Sequence, residues 1–532
     1  MEREEDVVAV PATGSTTPRP THPLRRSLSE VASLLAVGTS VDRPDIAVTG
    51  VSQDSRAVVR GDLYVARPGG SSHGAAYAQT AARSGAVAAL TDPAGRAPCE
   101  AAGLPTLVVP DPHAVLGGLS AWIYGYPARD LLMLGITGTN GKTTTAHLLD
   151  AALRHAGRHT GLLGTVGTRI GDERLASVRT TPEAPDLQAL LAVMRERGVD
   201  AVSMEVSSHA LAYGRVDGIG YDVAGFTNLT QDHLELHGDL ESYFAAKASL
   251  FTPERARVGV VNLDDPYGVR LAEHAPIEVS TFSAAGAAQA DWRAVGVEPT
   301  SEGGSRFRVL GPGGVDAEVT VGLPGDFNVA NALLATAVLA TAGVPLDEFL
   351  PAFASASLPG RMERVPGGQD FVVIVDYAHT PDAIAGVLDA SRPATRGRLI
   401  AVIGCGGQRD TGKRPLMGAA AARHADVVVI TDDNPRSEDP GAIRAAALAG
   451  AHTVPAAERG EIAEIGDRRE AIRHAVRSAR PGDTVLVLGK GHEQGQEIAG
   501  VVHPFDDRIV VQEVLAEMSD TMAAAERKGA DC

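Results

Sequence analysis

Leu134-Gly135-Ile136-Thr137-Gly138-Thr139-Asn140-Gly141-Lys142-Thr143-Thr144 is the stretch on which the fold turns. It grows out of a short apolar run, Leu131 to Leu134, and opens into a helix-like segment, Thr145 to Ala156. Strand, glycine-rich turn and helix in that order cradle phosphate, because N–H groups of the turn and of the helix N-terminus point at one anion. Lys142 would reach the outer phosphates and the Thr143 hydroxyl would hold Mg2+. The glycines are out of step with the pattern G-x-x-x-x-G-K-[ST], whose first glycine would fall on Ile136. An incidental glycine turn is the alternative. Gly-Lys-Thr between a strand and a helix favours a nucleotide site over Gly138 to Thr144.

Composition sets the frame for that site. A chain of 532 residues is too long for one core and suggests roughly three domains. Hydrophobic residues make up 44%, aromatics only 4%, so Ala, Gly and Val carry the apolar load, as in close-packed α/β layers. A net charge of −18 opposes non-specific nucleic-acid binding, which demands a basic face. The cysteines, Cys99, Cys405 and Cys532, are far apart and odd in number, which fits a reducing cytoplasm better than a disulfide framework. No apolar run approaches a membrane span, and the acidic, then Pro/Thr-rich N-terminus has no signal-peptide pattern. Residues 1–24 are expected to be a disordered tail.

Strand-like and helix-like runs then alternate along the chain. Val48–Val51, Leu63–Ala66, Val87–Leu90 and Thr106–Val109 are strand candidates of a small α/β domain, 25–129. Ser55 and Arg56 sit just past a strand end, where a plain turn competes with a ligand site. A second domain, 130–357, has strand candidates at Gly161–Val166, Ala201–Val206, Val223–Leu229 and Val258–Leu263. Helices between them imply a mainly parallel sheet, whose strand tips are where ligands bind. Glu205 and His233 are plausible Mg2+ ligands near a phosphate loop. Lys247 reads as an ordinary helix-face lysine. Residues 284–315 read as Gly-rich and irregular, and a helix is expected over 330–342. Capping accounts for one of Asn328 and Asn331, leaving the other free to read a base edge. A third, Rossmann-like domain, 358–532, has strands at Phe371–Val375, Leu399–Ile403, Val427–Ile430 and Val485–Leu488, each ending in a polar or Gly-rich tip. It lacks a clean G-x-G-x-x-G, so a dinucleotide is weakly supported.

Taken together, the order and spacing of several motifs resemble the Mur ligases, the ATP-dependent amino-acid ligases of peptidoglycan precursor synthesis. The motifs are Gly135–Thr144, Thr180-Thr181-Pro182, Met204–His209, Gln231-Asp232-His233, Ala245-Ala246-Lys247, Gly325–Asn331, Gly360–Glu363, Asp376–Asp382, Gly404–Arg414, Asp433–Arg436 and Gly489–Glu493. The resemblance implies an N-terminal UDP-binding domain, a central P-loop ATPase domain and a C-terminal domain for the incoming amino acid. It assigns Ser55, Arg56, Thr180, Thr181, Ser207 and Arg215 to the UDP-sugar peptide; Tyr213 stands where many relatives have glutamine. It assigns Asn328, Asn331, Arg361 and Asp376 to ATP. Thr143, Glu205, His233 and a carbamoylated Lys247 become Mg2+ ligands, overturning the bland reading of Lys247. Arg409, Asp433, Asn434, Pro435, Arg436, Gly489 and Glu493 become the amino-acid pocket.

Arg436 is the specificity signal, since a guanidinium can clamp the distal carboxylate of diaminopimelate, which lysine lacks. The implied acceptor is UDP-N-acetylmuramoyl-L-alanyl-D-glutamate, with ATP as co-substrate. A monomer with small-molecule substrates, no nucleic acid and no membrane insertion is expected. Three rivals share parts of this pattern: a lysine-adding ligase, a folylpolyglutamate-synthetase-like ligase and a P-loop regulatory NTPase.

Overall fold

The computed structural model describes residues 17–38, 46–70, 72–175, 179–300 and 303–530. Contacts divide the chain into two compact units. The first comprises Met1–Gly135, Arg158–Val223 and Ser249–Arg257; the second Ile136–Gly157, Ala224–Ala248 and Val258–Cys532.

The first unit is built on a four-stranded parallel sheet in the order Gly50–Ser52, Asp62–Ala66, Ala88–Thr91, Thr106–Val108. Its strands are buried, as parallel strands covered by helices must be. Val51, Leu63, Val65 and Leu90 pack under the helix Pro112–Ile123, and Leu28 and Val31 join them from a helix capped by Ser27. The expected strand Val48–Val51 is broken at Thr49 into Ala47–Val48 and Gly50–Ser52. A second group of strands pairs Ala201–Glu205 parallel to Thr160–Gly164, with Gly167–Ile170 and Glu173–Leu175 added antiparallel.

The tail expectation needs correcting. Residues 1–16 lie outside the described residues, but Arg19 is held in place. Its Nη1 donates to the Val51 carbonyl at 3.1 Å and to the Tyr124 hydroxyl, and Nη2 lies 3.5 Å from buried Asp62. A lone arginine in a Pro/Thr-rich run carries no periodic sign of such an anchor.

In the second unit, Ala256–Asn262, Glu278–Ser283 and Trp292–Pro299 run parallel, and Ser305–Gly311 and Val315–Val321 complete an antiparallel meander. This corrects the irregular reading of 284–315. The glycines mark the turns between strands, and Phe307 and Val309 alternate inward with exposed Arg306 and Arg308. The helix Asp326–Thr341 packs against Lys142–His155. A six-stranded sheet follows, in the order Glu363–Arg364, Val372–Asp376, Thr484–Leu488, Leu399–Cys405, Val427–Asp432, Glu461–Glu464, all parallel except the first strand. Its parallel strands carry the four polar tips at one edge, because every carboxyl end of a parallel sheet points the same way. Among the described residues no helix is long and apolar enough to cross a membrane.

Behind those tips lies a fully buried ion pair. Arg468 Nε and Nη2 donate to the Asp507 carboxylate at 2.8 and 2.7 Å, and Nη2 also reaches the Leu488 carbonyl at 3.0 Å. Asp507→Ala would strand a guanidinium without its counter-charge. The expected loss is about 3–5 kcal/mol, read as a lower urea midpoint for the transition that includes this sheet.

Candidate active site

In the first unit, the residues expected at the nucleotide-sugar peptide converge on the end of Ala201–Glu205. The Thr181 hydroxyl donates to the Glu205 carbonyl at 2.9 Å and receives the Ser207 N–H at 3.2 Å. Thr180 meets Thr165 at 3.0 Å, and Thr165 in turn donates its N–H (2.7 Å) and hydroxyl (3.1 Å) to the Glu205 carboxylate. Arg215 pairs with Glu183 at 2.8 Å, and its guanidinium lies 5.6 Å from the Tyr213 ring. Glu183 also accepts from Gln53 at 3.0 Å, and Arg67 holds Gln53 at 2.8 Å. Ser55 is buried in the adjoining turn, whereas Arg56 is exposed and bound to Asp54. Thr165, Glu183 and Gln53 escaped sequence reading. Only Glu183 had a sign, its position directly after Thr180-Thr181-Pro182.

The expected phosphate loop is in the second unit. Gly138 and Gly141 have φ of +142° and +88°, a region glycine alone enters freely. A Cβ on them would meet Thr227 Oγ1 at 1.8 Å and Asn331 Oδ1 at 2.4 Å. Asn228 braces the turn, its carbonyl accepting the Thr139 N–H and its Oδ1 the Asn140 N–H, each at 2.9 Å. Lys142 Nζ donates to the Gly138 and Thr139 carbonyls at 2.8 and 2.7 Å. Buried Thr143 receives Arg361 Nη2 on its hydroxyl at 3.0 Å.

A cavity of about 280 Å3 opens beside the loop, lined among others by Asn140, Asn328, Asn331, Arg361 and Asp376. Neither asparagine is the helix cap, which corrects the capping reading: the helix begins at Asp326, after Gly325. Asn328 instead donates to the Pro324 carbonyl at 2.7 Å, and Asn331 to Asn328 Oδ1 at 3.0 Å. Burial pushes the Asp376 carboxyl up, against the pull of Arg361. Its oxygens receive the Met362 and Ala378 N–H groups at 2.7 and 2.8 Å.

Lys247 is 1% exposed, not a surface lysine. Its Nζ donates to the Gly138 carbonyl at 2.7 Å and sits 4.5 Å from the Tyr243 ring. Burial, reinforced by Lys142, holds its amine well below the ordinary lysine range.

A charged cluster joins three segments of this unit around His233, and sequence reading gave its other members, Asp232, His379 and Lys413, no roles. Asp232 pairs with Lys413 at 2.9 Å and lies 3.4 and 3.9 Å from His233 and His379. Burial alone would raise the Asp232 carboxyl; His233, Lys413 and His379 outweigh it and hold it low. Desolvation of the His379 ring, reinforced by Lys413, pushes it down to about 4. The unfolded chain therefore binds a proton here between pH 6.5 and 4 that the folded chain refuses, so stability falls as pH drops through that window. The melting temperature is expected to decline from pH 6.5 to 4, and His379→Gln to flatten part of that slope, by thermal unfolding at each pH.

The tips of the six-stranded sheet bring the expected amino-acid residues together. Asn434 Nδ2 and Lys490 Nζ both donate to Glu493 Oε2, at 2.9 and 3.0 Å, and Lys490 also reaches Asn434 Oδ1 at 3.0 Å. A Cβ on Gly406 would lie 3.2 Å from Arg436 Nη1 and 3.7 Å from Arg409 Cγ, so the two arginines flank one glycine. Arg436 Nη1 donates to the Gly407 carbonyl at 2.6 Å. The Gly489 N–H meets the Asp376 carbonyl at 3.1 Å. Burial alone would raise the Asp433 carboxyl, but Lys490 and Arg468 hold it low. Fully buried Lys490 is the residue missed, since a lysine between glycines has no helical face to betray it. Four of the seven described non-glycine residues with positive φ, His233, Met362, Gln408 and Arg436, lie at these tips and loops.

Family models match along the chain: "Mur ligase family, catalytic domain" over residues 47–124, "Mur ligase middle domain" over 136–339, and "Mur ligase, glutamate ligase domain" over 360–491. A Streptomyces coelicolor protein named UDP-N-acetylmuramoyl-L-alanyl-D-glutamate–2,6-diaminopimelate ligase is 57% identical over 502 residues, 94% of this chain and 99% of that one. A Corynebacterium glutamicum protein of the same name is 49% identical, covering 88% and 92%. A solved structure under that name is 32% identical, with a TM-score of 0.63 over 93% of this chain and 100% of that one.

Proposed function

The chain belongs to the Mur ligase family, with its three-domain α/β architecture, and we propose that it is the diaminopimelate-adding ligase. It would join diaminopimelate to the D-glutamyl γ-carboxylate of UDP-N-acetylmuramoyl-L-alanyl-D-glutamate in the cytoplasm, consuming ATP. The domains would divide near 129 and 357. The observation that carries the amino-acid choice is Arg436, beside Arg409 and Asn434 at the tips of a parallel sheet. A guanidinium there suits a distal carboxylate and opposes the distal ammonium of lysine.

An oxygen of the acceptor γ-carboxylate attacks the γ-phosphorus of ATP; the bond to the β-phosphate oxygen breaks and ADP leaves. Lys142 exchanges its loop carbonyls for the phosphates and offsets charge on the transferring group. Asn328 and Asn331 hold the adenine side, and Arg361 and Asp376 complete the nucleotide site. Thr143, Glu205, His233 and Lys247, the last as its carbamate, are the residues assigned to Mg2+, which when bound lowers the repulsion between phosphate and carboxylate. Lys247 fits that role, because burial lowers the pKa of its amine and so favours the unprotonated form that adds CO2, losing a proton to become a carbamate anion. Ser55, Arg56, Thr180, Thr181, Ser207 and Arg215 hold the nucleotide-sugar peptide. The neutral amine of diaminopimelate, held by Arg409, Asn434, Arg436, Gly489 and Glu493, attacks the acyl carbon, and phosphate leaves with the acceptor's oxygen.

That route has an isotopic signature. With 18O in the γ-carboxylate, one labelled oxygen is expected in each phosphate released. Label appearing in AMP would replace the acyl phosphate by an adenylate.

A further inference from the structure

Residues 17–24 take no part in the reaction described above, yet they are tied to both ends of the helix Ala184–Glu196. Near its start the Thr17 side chain bonds the Asp186 carboxylate. At its last residue the Glu196 carboxylate receives the Thr21 N–H and hydroxyl, each at 2.7 Å, the His22 N–H at 2.8 Å and His22 Nδ1 at 2.7 Å. The lengths agree: from Asp186 to Glu196 is about 15 Å of helix, and from Thr17 to Thr21 about 13 Å of extended chain. Between these anchors Arg19 reaches the four-stranded sheet, at the Val51 carbonyl, the Tyr124 hydroxyl and buried Asp62. Helix and sheet otherwise meet through Ala184, Ala189 and Ala192, small side chains that interlock little and so fix their spacing weakly. That spacing matters to the site. Glu183, directly before the helix, binds Arg215 at 2.8 Å and Gln53 at 3.0 Å, and Gln53 lies just past the strand that carries Val51.

We infer that residues 17–24 are a strap that holds the helix Ala184–Glu196 at a set distance from the strand Gly50–Ser52, and so aligns Gln53, Glu183 and Arg215 for the nucleotide-sugar peptide. Arg19 and Glu196 are then positioning residues, acting through Gln53 and Glu183. The inference rests on the ligase reading above, which assigns Arg215 to that ligand.

The test is calorimetric titration of the purified full chain with UDP-N-acetylmuramoyl-L-alanyl-D-glutamate and, separately, with ATP. Wild type, Arg19→Met, Glu196→Ala and the double variant are compared. Each single variant should weaken the nucleotide-sugar peptide by about tenfold, the worth of one misplaced charge-assisted contact, and leave the Kd for ATP within about twofold. The double variant should be no weaker than the weaker single, because freeing either anchor frees the strap, whereas two independent local effects would multiply. Arg19→Lys should recover part of the loss. Glu196 is 24% exposed, so Glu196→Ala tests the strap without stranding a buried charge, as Arg19→Met does at Asp62. Unchanged affinity for the nucleotide-sugar peptide in Glu196→Ala, losses that multiply in the double variant, or an equal loss for ATP would each overturn the inference. If wild type does not bind the nucleotide-sugar peptide, the ligase reading fails and the inference with it; if wild type binds and the variants match it, the inference alone fails.

Discussion

Lys142→Ala is expected to lower kcat/KM for ATP-dependent ligation by roughly a thousandfold or more, the scale of removing a cation from a phosphoryl-transfer site. Lys142 opens the helix Lys142–His155 directly after the loop, and its ammonium already turns back to the Gly138 and Thr139 carbonyls. Glycine geometry at 138 and 141 and the Asn228 braces do not depend on its side chain. The variant should therefore fold with an unchanged melting temperature while losing phosphate release. A loss of activity accompanied by loss of folding would assign Lys142 to the scaffold instead.

The second large effect concerns Lys247. Lys247→Ala is expected to cost about a hundredfold to a thousandfold in kcat if a carbamate stands there to complete a charge-stabilising site. Three features make the amine unusual: it is 1% exposed, it faces the Tyr243 ring, and burial together with Lys142 holds its pKa well below the ordinary lysine range. A buried ammonium would be costly, whereas a carbamate converts the cation into an anionic metal ligand. Wild-type activity should fall after exhaustive removal of CO2 and return with bicarbonate. Lys247→Glu, which supplies a permanent carboxylate, should keep part of the activity and ignore bicarbonate. If wild type and Lys247→Glu respond alike to bicarbonate, the carbamate is wrong.

Much of this was readable from residue order. Apolar runs of Val, Ile and Leu in the C-terminal region mark parallel strands because such strands are buried on both faces. Their polar tips come together because the carboxyl ends of parallel strands align. The phosphate loop was readable because its glycines and Lys142 are contiguous. What stayed hidden depends on contacts distant in sequence. Lys247 looks like any helix lysine until the Gly138 carbonyl closes over it. Lys490 and Arg468 are buried cations whose partners, Asn434 and Asp507, are tens of residues away. The meander between Trp292 and Val321 was obscured by turn glycines that outweighed a short alternating pattern. Arg19 was masked by a composition that elsewhere signals disorder.

As a diaminopimelate-adding ligase, this chain would activate a D-glutamyl carboxylate and give it to diaminopimelate. Phosphate release by the purified protein tests it most directly, with ATP and UDP-N-acetylmuramoyl-L-alanyl-D-glutamate present and meso-diaminopimelate, LL-diaminopimelate or L-lysine added one at a time. Release is expected with a diaminopimelate and not with lysine, and loss of that preference in Arg436→Ala. Release with lysine alone would contradict the reading of Arg436, and release with none of the three would contradict the ligase.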